Sequence, residues 1–203
     1  MLKHIFLIIV LIFCYLLWEQ RPVRYGPGVV ANSKPDIARI DFPNPIETNN
    51  FIITPKFEIS GTVRVIAKNR YWFEDMSHIS PFDLLLSWDR MSDEDLLTRM
   101  LVQIDNRSYH VQMTKPPYQR GNIHEHLMMT HTIPATQIIQ EKISSLRRGQ
   151  LVSFSGYVVD IENRLGDKWV SPMRDGLPAN RSSQWVWIEN IKPEETTDNS
   201  LTE

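Results

Sequence analysis

Hydrophobic and polar positions change their period several times along this chain. Ile5 to Trp18 reads IFLIIVLIFCYLLW, fourteen residues without a charge. At about 1.5 Å per residue the run is roughly 21 Å long as a helix. Leu2, with Lys3 and His4 snorkelling, extends it to about seventeen residues, the lower limit for a hydrocarbon core of ~30 Å. Tyr15 and Trp18 stand at its end, where aromatic rings favour the interface. Residues 15–19 offer no Ala-x-Ala cleavage pattern, and Phe13 precedes Cys14 where a lipoprotein signal has a small residue. The pattern predicts an uncleaved transmembrane signal anchor over residues 1–18.

Residues 19–50 break all periodicity. Pro22, Pro27, Pro35, Pro43 and Pro45, with Gly26 and Gly28, predict an extended Pro-rich linker rather than a helix or central strand. Period two begins at Phe57: Ile59, Gly61, Val63 and Val65 alternate with a polar face of Glu58, Ser60, Thr62 and Arg64. Ser80-Pro81-x-Asp83 and Ser92-x-x-Asp95, each ahead of leucines, predict two short capped helices across 81–101. Residues 102–113 predict a hairpin turning at Asp105-Asn106-Arg107, and 128–133 a strand stopped by Pro134. Residues 137–148 predict a helix ended by Gly149. Residues 151–161 and 184–191 predict strands, the first containing Gly156 where a barrel strand bends. Residues 193–203 form an acidic tail expected to be frayed.

These elements define an α+β, mostly β fold: a transmembrane helix at 1–18, a linker at 19–50, and a β-rich soluble domain at 51–192 with two or three short helices. Arg148-Gly149-Gln150-Leu151-Val152, followed by Ser155-Gly156-Tyr157-Val158-Val159, resembles strands of oligonucleotide-binding-type barrels. A small, curved, OB-like β-barrel is therefore expected.

A wider pattern runs through the chain. It comprises Trp18 with Arg21-Pro22, Tyr71-Trp72-Phe73, Ser80-Pro81 with Asp83, Trp88, and Met91-Ser92-Asp93. It continues through His126 with His131, Ile133-Pro134-Ala135, Arg148-Gly149, Ser155-Gly156, Trp169 and Trp187-Ile188-Glu189. Over residues 15–190 this resembles a family of uncharacterised bacterial proteins, each with one N-terminal span and one β-rich domain. The resemblance implies a topology and supplies no activity.

Composition narrows the function classes. The chain has 203 residues, a net charge of −2 and one cysteine. It can form no internal disulfide and no Cys-based zinc framework. Lys and Arg are scattered, only Arg147-Arg148 being adjacent, so no phosphate-tracking patch is expected and nucleic acid is not a predicted partner. The short basic head before the apolar run predicts export: a single-pass protein of the inner (cytoplasmic) membrane, its soluble domain periplasmic. Arg21, Arg24 and Lys34 argue for the opposite orientation.

Candidate chemistry is sparse. His124, His126 and His131, with Glu125, His110 or His78 as a further ligand, are the densest metal-capable set, although no H-E-x-x-H spacing is present. His78, Ser80 and Asp83 hold the residue types of a nucleophilic triad, but the capping pattern already accounts for Ser80 and Asp83. No cofactor is predicted. Trp72, Trp88, Trp169, Trp185 and Trp187 are core candidates, and Trp185 and Trp187, two apart on one strand, share a face that could meet a partner. Sequons at Asn106 and Asn180 matter only in a eukaryotic secretory pathway. The expected function is a membrane-tethered, non-enzymatic envelope module that binds a protein or envelope component. The alternative is an envelope hydrolase or metal-binding enzyme with its chemistry around His126 and His131.

Overall fold

One long strand organises the molecule. In the computed structural model, residues 2–19, 21–28, 31–48, 50–119, 122–174, 177–178 and 183–194 are described. Helix α1 covers Leu2–Glu19. Two short strands follow, β1 (Asp36–Arg39) and β2 (Ile46–Thr48), and then β3 (Phe51–Arg70). The remaining elements are β4 (Phe82–Ser87), α2 (Glu94–Thr98), β5 (Met100–Asp105), β6 (Ser108–Met113), β7 (Leu127–Pro134) and α3 (Gln137–Ser145). They continue with β8 (Leu151–Asn163), β9 (Lys168–Trp169), β10 (Met173–Arg174), β11 (Leu177–Pro178) and β12 (Ser183–Pro193).

β3 pairs β8 along Phe51–Arg64 and β4 along Arg64–Arg70. Register shifts at Pro55/Phe57 and Val65/Ala67 mark bulges that let one strand serve both neighbours, because an extra residue bends and twists the strand. β4 pairs β7, β7 runs parallel to β12, and β12 pairs β8, which returns to β3. The sheet is therefore partly closed, with β1 and β2 added on β3 and β9 on β8. β5 and β6 form a separate hairpin, and β10 and β11 a separate short pair.

Alternation sorts the core. Phe82, Leu84 and Leu86 of β4 face inward with Val63, Val65, Met128, Val158, Val186 and Ile188, and α3 adds Ile139 and Ile143. Leu85 and Met129, on the other face, pack under the β5–β6 hairpin with Leu96, Leu97 and Met100. A third cluster joins Phe51, Ile53, Ile133, Val159, Ile161 and Trp185 beneath Met76 and Ile79 of the β3–β4 loop. All of β4, and β7 as far as Ile133, are thus buried on both faces.

Several expectations are corrected. Among the described residues no helix is long and apolar enough to cross a membrane, which overturns the transmembrane signal anchor and the single-pass inner-membrane location. Eighteen residues rise only about 27 Å, and Lys3, His4 and Glu19 take up both ends. The two-helix reading of 81–101 fails at its first half, where β4 is a central strand whose leucines bury both faces. Local capping chemistry gives way there to tertiary packing. In the second half Asp93, not Ser92, is the N-cap of α2, its side chain accepting from the Asp95 amide. The linker carries edge strands β1 and β2 between its prolines, where a missing donor costs least. Arg64, read as part of a polar face, is fully buried. The acidic tail beyond Glu194 and the sequon at Asn180 lie outside the described residues.

Candidate functional site

The register of β4, β7 and β12 places Asp83 opposite His131, and His131 opposite Trp185. This row lies on the outer face of the sheet, between the hairpin and the β3–β4 loop. Asp83 is fully buried and serves three donors. His131 Nδ1 lies 2.8 Å from its Oδ1. Arg107 Nη1 donates to Oδ1 at 3.1 Å and the Tyr71 hydroxyl to Oδ2 at 2.9 Å. A carboxylate only accepts, so His131 carries its proton on Nδ1. The His131 ring lies 4.6 Å from Trp185, tilted by 50°.

Arg107 reaches this site from the turn between β5 and β6. Asn106 and Arg107 sit at φ 47° and 56°, the left-handed region that a two-residue hairpin turn demands and non-glycine residues avoid. The guanidinium offsets that strain. It donates to Ser80 Oγ and the Ser80 carbonyl at 3.2 and 3.0 Å and pairs with Glu74 at 2.5 Å. It also lies 4.3 Å from the Tyr71 ring centroid. Burial first, with Asp83 assisting, pushes the Tyr71 hydroxyl up to about 12. The result is a lock of Asp83, His131, Arg107, Tyr71, Ser80 and Glu74 that ties the hairpin and the β3–β4 loop to the main sheet.

The other predicted ligands are dispersed. His124 Nδ1 lies 2.8 Å from the Tyr109 hydroxyl, beside a cavity of about 350 Å³ that Arg107, His110, Met129 and Ser183 also line. His126 stacks on Tyr118 at 4.1 Å, its Nδ1 3.7 Å from Asp89 Oδ2. Tyr118 donates to that same oxygen at 2.6 Å, a bond that holds the Asp89 carboxyl below its ordinary value. Asp89, like Arg107, is a non-glycine residue at positive φ, here 51°. Among the described residues no three His, Cys, Asp or Glu could hold one metal ion. His78 packs 5.2 Å from Phe51 rather than on Ser80 or Asp83, so those three form no triad.

Trp185 is buried against His131, and Trp187 is half-buried opposite Tyr157 on β8. The exposed aromatic pair lies in the β3–β4 loop instead. Trp72 is 63% exposed, with Arg70 stacked 3.5 Å from its centroid, and Phe73 is fully exposed. The loop around them is braced by Tyr71 N to Pro81 O at 2.9 Å, Ser77 N to Glu74 O at 2.9 Å and Ser80 N to Met76 O at 2.8 Å.

The sequence pattern does not single out Arg107, which reads as a turn residue, Tyr71, which reads as a continuation of the apolar pattern, or Glu74. A cation at the second position of an Asn-Arg hairpin turn, where glycine is the usual choice, was the available signal. Compared with protein families, curated proteins and solved structures, the chain matches none.

Proposed function

We propose that this chain is a non-enzymatic binding module that recognises a protein partner through the aromatic tip of its β3–β4 loop. The observation that carries this reading is the exposure of Trp72 and Phe73 on a loop braced on both sides of the tip. Tryptophan, tyrosine and arginine dominate binding energy at protein interfaces, and a pre-ordered loop loses little entropy on docking. The strand connectivity supports an oligonucleotide-binding-type barrel as the scaffold: five strands in a ring, the third and fifth parallel, and a helix between the third and fourth. Tyr71, Ser80, Asp83 and His131, which carry part of the resemblance to the uncharacterised bacterial family, meet in the lock. Their meeting favours grouping the β-rich domain with that family.

The enzyme reading has less support. Asp83 is fully buried and accepts from three donors, His131 is 3% exposed, and His126 and His131 face different partners. One observation speaks for it, the Tyr109–His124 pair beside a cavity.

The test is site-specific photocrosslinking in cells. A photoreactive residue at position 73 is expected to give one discrete protein adduct, and the same residue at Gln112, exposed on the hairpin, none. Trp72→Ala with Phe73→Ala should reproduce the phenotype of gene deletion while the melting temperature holds. Full activity of that folded double variant, with no adduct at 73, overturns the proposal.

A further inference from the structure

A second recognition surface lies far from the aromatic tip, and its occupant is part of the chain itself. Residues 21–28 and Ala31 belong to no helix or strand, yet the barrel holds their main chain at several points. Val23 N donates to Arg148 O at 2.8 Å. The amides of Tyr25 and Gly26 both donate to Glu94 Oε2, at 2.6 and 2.8 Å. Ala31 N donates to Ser92 Oγ at 2.8 Å, and Ala31 O accepts from Asp89 N at 2.6 Å. The Tyr25 hydroxyl accepts from Leu151 N at 3.2 Å.

The walls behind these bonds are built for them. Arg64, fully buried on β3, donates to Gly149 O at 2.7 Å and Ser92 O at 2.5 Å, pairs with Glu94 at 3.6 Å and lies 5.3 Å from the Tyr25 ring centroid. A Cβ at Gly149 would sit 2.3 Å from Val23 O, so glycine there makes room for the segment. A buried cation that orients a carboxylate, which in turn grips two adjacent amides, is main-chain recognition of an extended peptide.

We propose that this groove is an exchangeable peptide site, filled in cis by residues 21–28 and Ala31 and able to take the same segment from a second copy of the chain. None of the segment's bonds above is internal to it, so it leaves the groove without dismantling a strand or helix. It precedes β1, so a copy can donate it and keep its own sheet intact. The second copy is the occupant the groove favours, because the segment brings Tyr25, whose ring lies beside Arg64 and whose hydroxyl accepts from Leu151 N, Gly26 at φ 97°, a conformation that favours glycine, and the buried Ala31. Exchange of identical segments is a low-cost route to dimers. The inference is independent of the aromatic-tip reading.

The experiment uses the full chain and a fluorescein-labelled peptide of residues 21–33. Tyr25→Ala weakens the cis segment without touching the groove, and thermal melts establish that it folds. If it does not, Tyr25→Phe, which loses only the hydroxyl, takes its place. The peptide should bind the Tyr25 variant saturably, bind the wild type about tenfold more weakly because the cis segment competes, and lose binding when Glu94→Gln is added. No binding to the folded variant, or equal binding after Glu94→Gln, overturns the site. In sedimentation of the wild-type chain, a dimer whose population rises with concentration and falls in Glu94→Gln supports exchange. A monomer at every concentration overturns the second-copy occupant.

Discussion

At the scale of single residues the molecule is governed by a few buried polar groups whose partners are fixed. Asp83 is the clearest, because three donors converge on it from three separate parts of the chain. Asp83→Asn keeps the volume but puts an amide donor among donors. It should cost about 3–5 kcal/mol in chemical denaturation, the range for breaking a buried pair. The serines once read as caps make a contrasting pair. Ser92 Oγ accepts from Ala31 N and donates to Asp89 O at 2.6 Å, so Ser92→Ala strands a buried amide and should cost about 1–3 kcal/mol. Ser80 Oγ accepts one bond from an arginine that keeps Asp83, Glu74 and the Ser80 carbonyl, so Ser80→Ala should cost only about 0.5–1.5 kcal/mol. Equal losses would contradict that difference in partners. Tyr71 gives a pH signature of known sign. Its folded value, about 12, lies above the ordinary 10.0, so its contribution to stability is whole below pH 10 and is lost as pH rises from there through 12. Tyr118 and Tyr157 are also raised, so ultraviolet titration should show a late-ionising step in the wild type that is smaller by one tyrosine in Tyr71→Phe, and the wild type should lose melting temperature over that window more steeply than the variant.

At the scale of elements, glycine and register decide the architecture. A Cβ on Gly156 would lie 1.9 Å from the Trp187 carbonyl oxygen, so β8 and β12 approach as closely as bare backbone allows. Backbone atoms give way less easily than side chains. Gly156→Ala should therefore cost at least about 2–3 kcal/mol, with Gly156→Val worse, read from urea midpoints at unchanged slope. An unchanged midpoint would mean that β12 shifts freely. Period two made β8 and the middle of β3 legible from the sequence, and the turn residues the β5–β6 hairpin; helix α3 was legible from its spacing, but it ends at Ser145 with Leu146 as its C-cap rather than running to Gly149. β4 was not, because a strand buried on both faces has no alternation to read and Ser-Pro-x-Asp imitates a helix start. β1 and β2 were hidden among prolines, and Arg64 by the regularity of the alternation around it. The lock was illegible for a different reason. Asp83 meets His131 only through the β4–β7 register, and Arg107 only through the fold-back of a hairpin, neither of which leaves a local pattern. Its members Ser80, Asp83 and His131 were picked out, but for capping, a triad and a metal.

At the scale of the whole molecule, the closure of the ring dictates how the chain must fold. β3 is needed on both edges: Arg70 pairs with Phe82, a local contact, but Phe51 pairs with Asn163, across most of the domain. The parallel β7–β12 pair joins strands separated in sequence by α3 and β8. Such nonlocal pairing makes loop closure, rather than helix formation, the slow step, because entropy is lost before the contacts that offset it are made. Refolding followed by tryptophan fluorescence should therefore take milliseconds to seconds, the range of all-β domains with distant pairings. Trp185 reports on closure, since it sits on the last strand against His131. A chain ending at residue 178 retains β3, β4, β7 and β8 but lacks β12, which pairs both β7 and β8. It should show no cooperative melt in circular dichroism, and supplying residues 183–194 as a peptide should restore one. A cooperative transition in the truncated chain alone would mean that β3, β4, β7 and β8 form a stable open sheet, and that ring closure is dispensable for folding.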